Sequence, residues 1–328
     1  MYDVLVRIGV ICLNDNNYFK GKLFETFGII LFMLMYALIG IYYLPFNLLF
    51  FPIAFIFLGV RKGLKQSVIS IVVVSLLIGL VVDISSGILL FILFMPVTVI
   101  IVYGIKTRKK PVEVLVYSTV AFFIATLLLY GYTQKITGIS IVNQMQEYFN
   151  NAYNIQVQLF EEMGLTNFEI LKNMEILESN FSQMLQLFPV LLIMISMFIS
   201  YCNYYISILA LRKSGIGIVS IPRFSKFKLP TNVIPGILVM FLGVFLIKGM
   251  NLPYYETIFL NIIALVGYMF VLQGLSVMDY FLIKLRVKIF LRILIIFLTT
   301  MTPLGTAISL IGIGDIIFDF RKIKKLKS

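Results

Sequence analysis

The chain has 328 residues, 60% of them hydrophobic and only 13% charged, with a formal net charge of +12. A soluble domain runs about 45–50% apolar and about 25% charged. The apolar excess therefore has no water-soluble core to fill, and it falls in blocks close to the ~18–20 residues that cross a bilayer. The cations sit in short loops between those blocks, which points to membrane topology and away from nucleic acid.

In chain order, residues 1–23 mix apolar and polar side chains (VLVRIGVICLNDNNYFKGK) and read as a cytoplasmic lead-in with no secretory signal. Spans are predicted at about 24–44, 46–60, 66–82, 87–105 and 112–133, which together form an N-terminal membrane group, 24–133. Residues 134–186 are different: they carry six glutamates against two lysines. Val142, Met145, Phe149 and Ala152 recur at helical spacing, and so do Ile170, Met174, Leu177, Phe181 and Met184. Gly164 can end the first run, and Thr166 with Glu169 matches a capping box that opens the second. The prediction is an external acidic helical hairpin, either folded on the membrane surface or used as a docking element or lid.

Further spans are predicted at about 187–211, 233–250 and 257–283, with a last apolar stretch over 289–320, giving a C-terminal membrane group, 187–320. Arg61, Lys62 and Lys65 follow the second span, and Lys106, Arg108, Lys109 and Lys110 the fourth. Arg212, Lys213, Arg223, Lys226 and Lys228 follow the sixth, and Lys284, Arg286, Lys288 and Arg292 the eighth. Since positive residues stay on the cytoplasmic side, every second loop and the N-terminus, with Arg7, Lys20 and Lys22, face the cytoplasm. Eight crossings return the chain there, and a ninth would export the basic tail, 321–328. The Thr302-Pro303-Leu304-Gly305 break therefore predicts two half-helices that bring the C-terminus back inside. The competing reading makes 46–60, with Pro52, the re-entrant element. The predicted fold is all-α: a polytopic transmembrane bundle of about eight spans, a broken C-terminal helix pair and an external hairpin.

Histidine is absent, which removes Ser-His and Cys-His nucleophile pairs and imidazole relays. Cys12 and Cys202 imply no disulfide framework. No nucleotide, phosphate or metal motif is present, so no cofactor and no enzymatic activity are expected; scattered carboxylates leave an intramembrane enzyme as a minor alternative. In the sixth span Ser196, Ser200, Asn203 and Ser207 form one polar line at spacings of four, three and four. That line suits either helix packing or a face lining a neutral polar solute. Gln273 is a further polar group within a span. Gly236 with Gly243, and Gly267 with Gly274, suggest close-approach faces. Asp279 and Arg292 lie where they can pair. At the C-terminus Asp315 is placed to cap a short helix, with Asp319 one turn on and Arg321 opening the basic tail. Asp315, Asp319 and Arg321 thus read as a cap and anchor, or as a cation or partner contact.

Certain segments carry a resemblance: GVRKGLKQ, NYYISILALRKSGIGIVSIPRFSKFKLP, QGLSVMDYFL and GDIIFDFRK, in this order. Asn203, Phe227 to Pro230, Gln273-Gly274-Leu275 and Asp315 to Arg321 are its most specific parts. From about residue 24 onward the chain resembles the YybS-like family of bacterial multi-pass membrane proteins of unassigned function. It is more distantly similar to the substrate-binding S components of energy-coupling-factor transporters. The resemblance implies the bacterial cytoplasmic membrane and an envelope or signalling context. It also implies a solute-binding module in the lipid bilayer, with a polar small molecule as ligand. The other expectation is a non-catalytic scaffold or regulatory partner of another membrane protein.

Overall fold

The structure is a computed structural model and describes residues 26–218, 222–230, 233–250, 252–302 and 304–321. The lead-in 1–23, Cys12, Asn232, Pro303 and the tail cations beyond Arg321 lie outside the described residues. All regular structure among the described residues is helical. The chain divides into two compact units: Met1–Tyr148 with Leu192–Ile221, and Phe149–Leu191 with Pro222–Ser328. The sixth span thus joins the N-terminal helices and not the group 187–320.

The first unit holds α1 (Thr26–Tyr42), a 3-10 segment (Pro45–Phe50), α2 (Pro52–Lys62), α3 (Leu64–Val81), α4 (Ile84–Lys106), α5 (Pro111–Thr137), the start of α6 (Ile141–Glu162) and most of α8 (Phe188–Lys213). α4, and α3 apart from its first turn and a few buried serines, carry apolar side chains on every face, the mark of helices surrounded by protein and lipid. Gly63, at φ 120°, turns the chain between α2 and α3, a conformation that costs any other residue strain. Asp83 caps α4, its Oδ1 accepting from the Ser86 N–H at 2.8 Å. Where α3 meets α4, a Cβ on Gly87 would lie 2.9 Å from the Gly79 backbone, so the two helices touch main chain to main chain.

The core of this unit is a run of rings. Phe51 sits 5.0 Å from Phe55 and 5.6 Å from Phe94, and Phe94 lies 6.2 Å from Phe122. Ile56, Ile71, Val74, Ile78 and Ile101 are fully buried around them, and Ile199, Tyr204 and Ile208 of α8 join the same cluster. That shared core is why the sixth span groups with the first five.

The second unit holds the rest of α6, α7 (Asn167–Gln186), the start of α8, a segment with a 3-10 turn (Phe224–Lys226), α9 (Val233–Gly249), α10 (Tyr255–Lys284), α11 (Ile289–Met301) and α12 (Gly305–Phe318). The expected hairpin is present. Gly164 ends its first arm at φ 76°. Thr166 and Glu169 form the reciprocal capping box, the Thr166 N–H and hydroxyl donating to Glu169 Oε2 at 2.9 and 2.8 Å. Phe149 stacks on Phe181 at 4.0 Å. Of the predicted stripe on α7, Ile170 and Met174 are buried, whereas Leu177 and Met184 remain exposed. At the base of α7 Asn261 serves two helix ends: its Oδ1 accepts from the Val190 N–H at 3.0 Å and its Nδ2 donates to the Gln186 carbonyl at 2.7 Å.

Six helical stretches among the described residues are long and apolar enough to cross a membrane: Pro45–Lys62, α3, α4, α5, α8 and α10. Ile289–Thr300 and Gly305–Phe318 meet at 113° and make a seventh if taken as one broken span. The expected spans at 24–44 and 233–250 are shorter apolar helices. The predicted break near residue 303 is therefore real, as a sharp bend between two half-length helices.

Candidate functional site

In the second unit α10 and α12 are pressed together through glycines. A Cβ on Gly274 would collide with the Ile308 backbone carbonyl, and one on Gly312 would collide with the Phe270 carbonyl and lie 2.9 Å from the Gly274 nitrogen. The expectation for Gly274 holds. Gly236, Gly243 and Gly267 have open space where a Cβ would stand, so they make no close approach among the described residues.

The glycine contact brings two polar helix faces together. Gln273 Nε2 donates to Asp315 Oδ2 at 2.6 Å, and Gln273 Oε1 accepts from the Leu229 N–H at 2.9 Å. Arg321 Nη2 reaches Asp315 Oδ2 at 2.7 Å, with Nε at 3.2 Å from the same oxygen. Arg321 Nη1 donates to the Ser225 carbonyl at 2.8 Å and to Ser276 Oγ at 2.7 Å. Ser276 Oγ in turn lies 2.6 and 2.9 Å from the carbonyls of Phe224 and Phe227. Gln273, Ser276 and Asp315 are fully buried and Arg321 is 2% exposed. Beside them Lys228 pairs with Asp319, and Asp279 lies 3.6 Å from Arg292.

This geometry corrects the expected cap. α12 begins at Gly305, and Asp315 stands inside it, near its C-terminal end. Asp319 is the C-terminal cap residue, left-handed at φ 48°, and its N–H donates to the Asp315 carbonyl at 3.0 Å. That turn reverses the chain and swings Arg321 back onto Asp315. Arg321 is therefore a buried ion-pair partner and not the first cation of a lipid-facing tail. The cluster fastens α10, the 222–230 segment and the end of α12 to one another. Its carboxylate is fully engaged, accepting from Arg321 and Gln273. Ser276, Ser225 and Lys228 were not anticipated; the available signal was that Gln273 and Ser276 share a helix face at a spacing of three.

The polar line of α8 belongs to the first unit. Ser196, Ser200, Asn203 and Ser207 are all buried, on one face. Ser196 Oγ bonds back to the Leu192 carbonyl at 2.7 Å. Asn203 Nδ2 donates at 2.9 Å to the Ile199 carbonyl and, across the interface, to the Leu49 carbonyl. The long-range bond has a clear cause. In the 3-10 segment the Leu49 carbonyl would accept from residue 52, but Pro52 has no N–H, and Asn203 supplies the missing donor. Among the described residues Asn203 Oδ1, Ser200 Oγ and Ser207 Oγ have no hydrogen-bond partner, and neither do Ser70 and Ser75 Oγ on α3. Gln273, grouped with these residues on sequence grounds, lies in the other unit, within the ion-pair cluster.

Around both units large apolar side chains face outward on many helices: Leu80 and Phe46 are 82% exposed and Phe290 78%. Such surfaces on helices of membrane-spanning length fit a lipid environment. Long apolar helices, a break served by a neighbouring side chain, and a buried ion pair define a multi-pass helical membrane protein. The chain belongs to the family described as Predicted membrane protein (DUF2232), whose profile matches residues 27–316. No curated protein and no solved structure gives a significant match.

Proposed function

We propose that this chain is a non-catalytic membrane module that binds a small polar solute against α8, beside the 3-10-to-α junction of the span Pro45–Lys62. One observation carries the reading: Asn203 uses both donors on backbone carbonyls while its Oδ1, in line with Ser200 and Ser207 Oγ, is buried without a partner. A buried polar atom left unpaired costs about 1–3 kcal/mol. The bound state supplies the partners that the closed packing lacks, so the helices must part to admit the ligand. The resemblance to YybS-like proteins and S components supports the same reading. The alternation of basic loops supports both termini on the cytoplasmic side, and the family resemblance supports a bacterial cytoplasmic membrane.

The test is native mass spectrometry of the protein extracted from its own membrane, followed by a panel of neutral and zwitterionic metabolites. A bound small molecule, lost in Asn203→Leu and weakened in Ser207→Ala, is the expected result. Wild-type protein that retains nothing and binds nothing on the panel overturns the proposal.

A second reading, a scaffold or regulatory partner of another membrane protein, has its own observation. The hairpin tip exposes Met163, Phe168 and Leu171 at 68–75% among glutamates. It predicts a co-purifying protein that is lost on deletion of residues 140–186.

A further inference from the structure

Lys106 ends α4 and the loop to α5 carries Arg108, Lys109 and Lys110; none of the four makes an ion pair among the described residues. Below it a furrow of about 530 Å³ runs between the two helices. It begins where the helices touch: a Cβ on Gly104 would stand 2.5 Å from Val114 Cγ2. Its walls are apolar down to Ile124, and its only charged lining residue is Lys109 at the upper end. Tyr103 and Tyr117, each about half exposed, flank that end, and Lys109 Nζ lies 5.7 Å from the Tyr117 ring centroid.

We infer that this furrow is a binding site for one anionic phospholipid, its phosphate at Lys109 on the Arg108–Lys110 loop and an acyl chain in the groove. Dimensions and chemistry agree. Val114 to Ile124 spans about 15 Å of helix, half the hydrocarbon thickness of a bilayer, so the groove matches the depth of one leaflet. Tyrosines belong at the headgroup boundary, and here they lie at the cationic end. Lys109 at the mouth of the apolar slot, with Arg108 and Lys110 beside it in sequence, complements an amphiphile with a negative head; a soluble anion would leave the slot unfilled, and a neutral lipid would leave the charge unmatched. The site is separate from the α8 polar line, and its test does not depend on the proposed solute.

Native mass spectrometry of the full-length protein in detergent, titrated with dioleoylphosphatidylglycerol or with dioleoylphosphatidylcholine, tests this. The expected result is preferential retention of phosphatidylglycerol. Each cation near the surface contributes about 1 kcal/mol to anionic-lipid binding, close to fivefold in affinity. Lys109→Gln with Lys110→Gln should therefore weaken binding by more than tenfold, with no effect on phosphatidylcholine. Ala121→Phe, which fills the slot and leaves the charge intact, should weaken binding of both lipids. Lys284→Gln with Arg286→Gln, in the other unit, serves as the charge-matched control. Equal retention of the two lipids overturns the inference. So does a loss in the control pair equal to that in the Lys109/Lys110 pair, since general surface charge would then account for the binding.

Discussion

Arg321 and Asp315 are joined by a 2.7 Å charged hydrogen bond with neither side chain reaching solvent. The contact is possible because Asp319 adopts the left-handed conformation and reverses the chain immediately after α12. A pair of this kind repays its desolvation only while it is whole. Ser276, Ser225 and Gln273 take up the remaining hydrogen-bonding capacity.

Removing one member leaves the other charged and buried. Asp315→Ala should cost about 3–5 kcal/mol, read as a large fall in the thermal unfolding temperature of the detergent-solubilised protein. Asp315→Leu combined with Arg321→Met should recover much of that loss, because no lone charge remains. If the double variant is no more stable than Asp315→Ala, the pair does not contribute as described.

The α10–α12 contact can be probed at its glycines. Gly274→Ala and Gly312→Ala drive a methyl into backbone carbonyls that cannot yield as a side-chain end would, and each should destabilise by about 1–3 kcal/mol. Gly236→Ala meets open space and should be neutral or stabilising by up to ~1 kcal/mol, as alanine in a helix. A ranking in which Gly236→Ala is the most damaging of the three would contradict this packing.

The hairpin cap predicts a pH dependence. Hydrogen bonds from the Thr166 backbone and hydroxyl hold the Glu169 carboxyl below its ordinary value. A carboxyl lowered in the fold stabilises it fully above the ordinary glutamate range, and the contribution fades as pH falls through the lowered value. Amide protection over residues 167–171, corrected for intrinsic exchange, should therefore be constant near neutral pH and decrease below the ordinary carboxyl range. In Thr166→Ala protection should be lower at neutral pH and change less on acidification. Protection that rises on acidification in the wild type would reverse the assigned sign.

The hairpin was legible because local rules specify it: a stripe at helical spacing, a glycine stop and a capping box fall within a few residues of one another. Six of the eight expected spans were legible because lipid demands about 20 apolar residues per crossing; those at 24–44 and 233–250 are shorter apolar helices among the described residues. Tertiary pairings were not. Asn203 to Leu49 spans 154 residues and follows from the missing N–H of Pro52, which marks a need for a donor without saying who provides it. Asp315 followed two glycines and so resembled a cap, but Gly312 serves helix contact and the helix runs on through Asp315. The conformation of Asp319, a non-glycine residue at positive φ, carries no clear sequence signature, and the place of Arg321 depends on it.

The α8 line offers a test in which stability and binding move in opposite directions. Ser200 and Ser207 hydroxyls are buried without partners, whereas Asn203 Nδ2 satisfies an otherwise orphaned carbonyl. Ser200→Ala and Ser207→Ala should each stabilise the ligand-free protein by about 1 kcal/mol, the reverse of the penalty for an unsatisfied hydroxyl. Asn203→Leu should destabilise it by about 1–3 kcal/mol, because Leu49 loses its donor. Thermal unfolding in detergent measures all three. If the hydroxyls serve a solute, the stabilised serine variants bind it more weakly, since a site that is costly when empty is relieved by its ligand. If they serve packing alone, stability changes and binding does not. Serine variants that are destabilised would mean that the hydroxyls already have partners, and the argument for a site on α8 would fail with them.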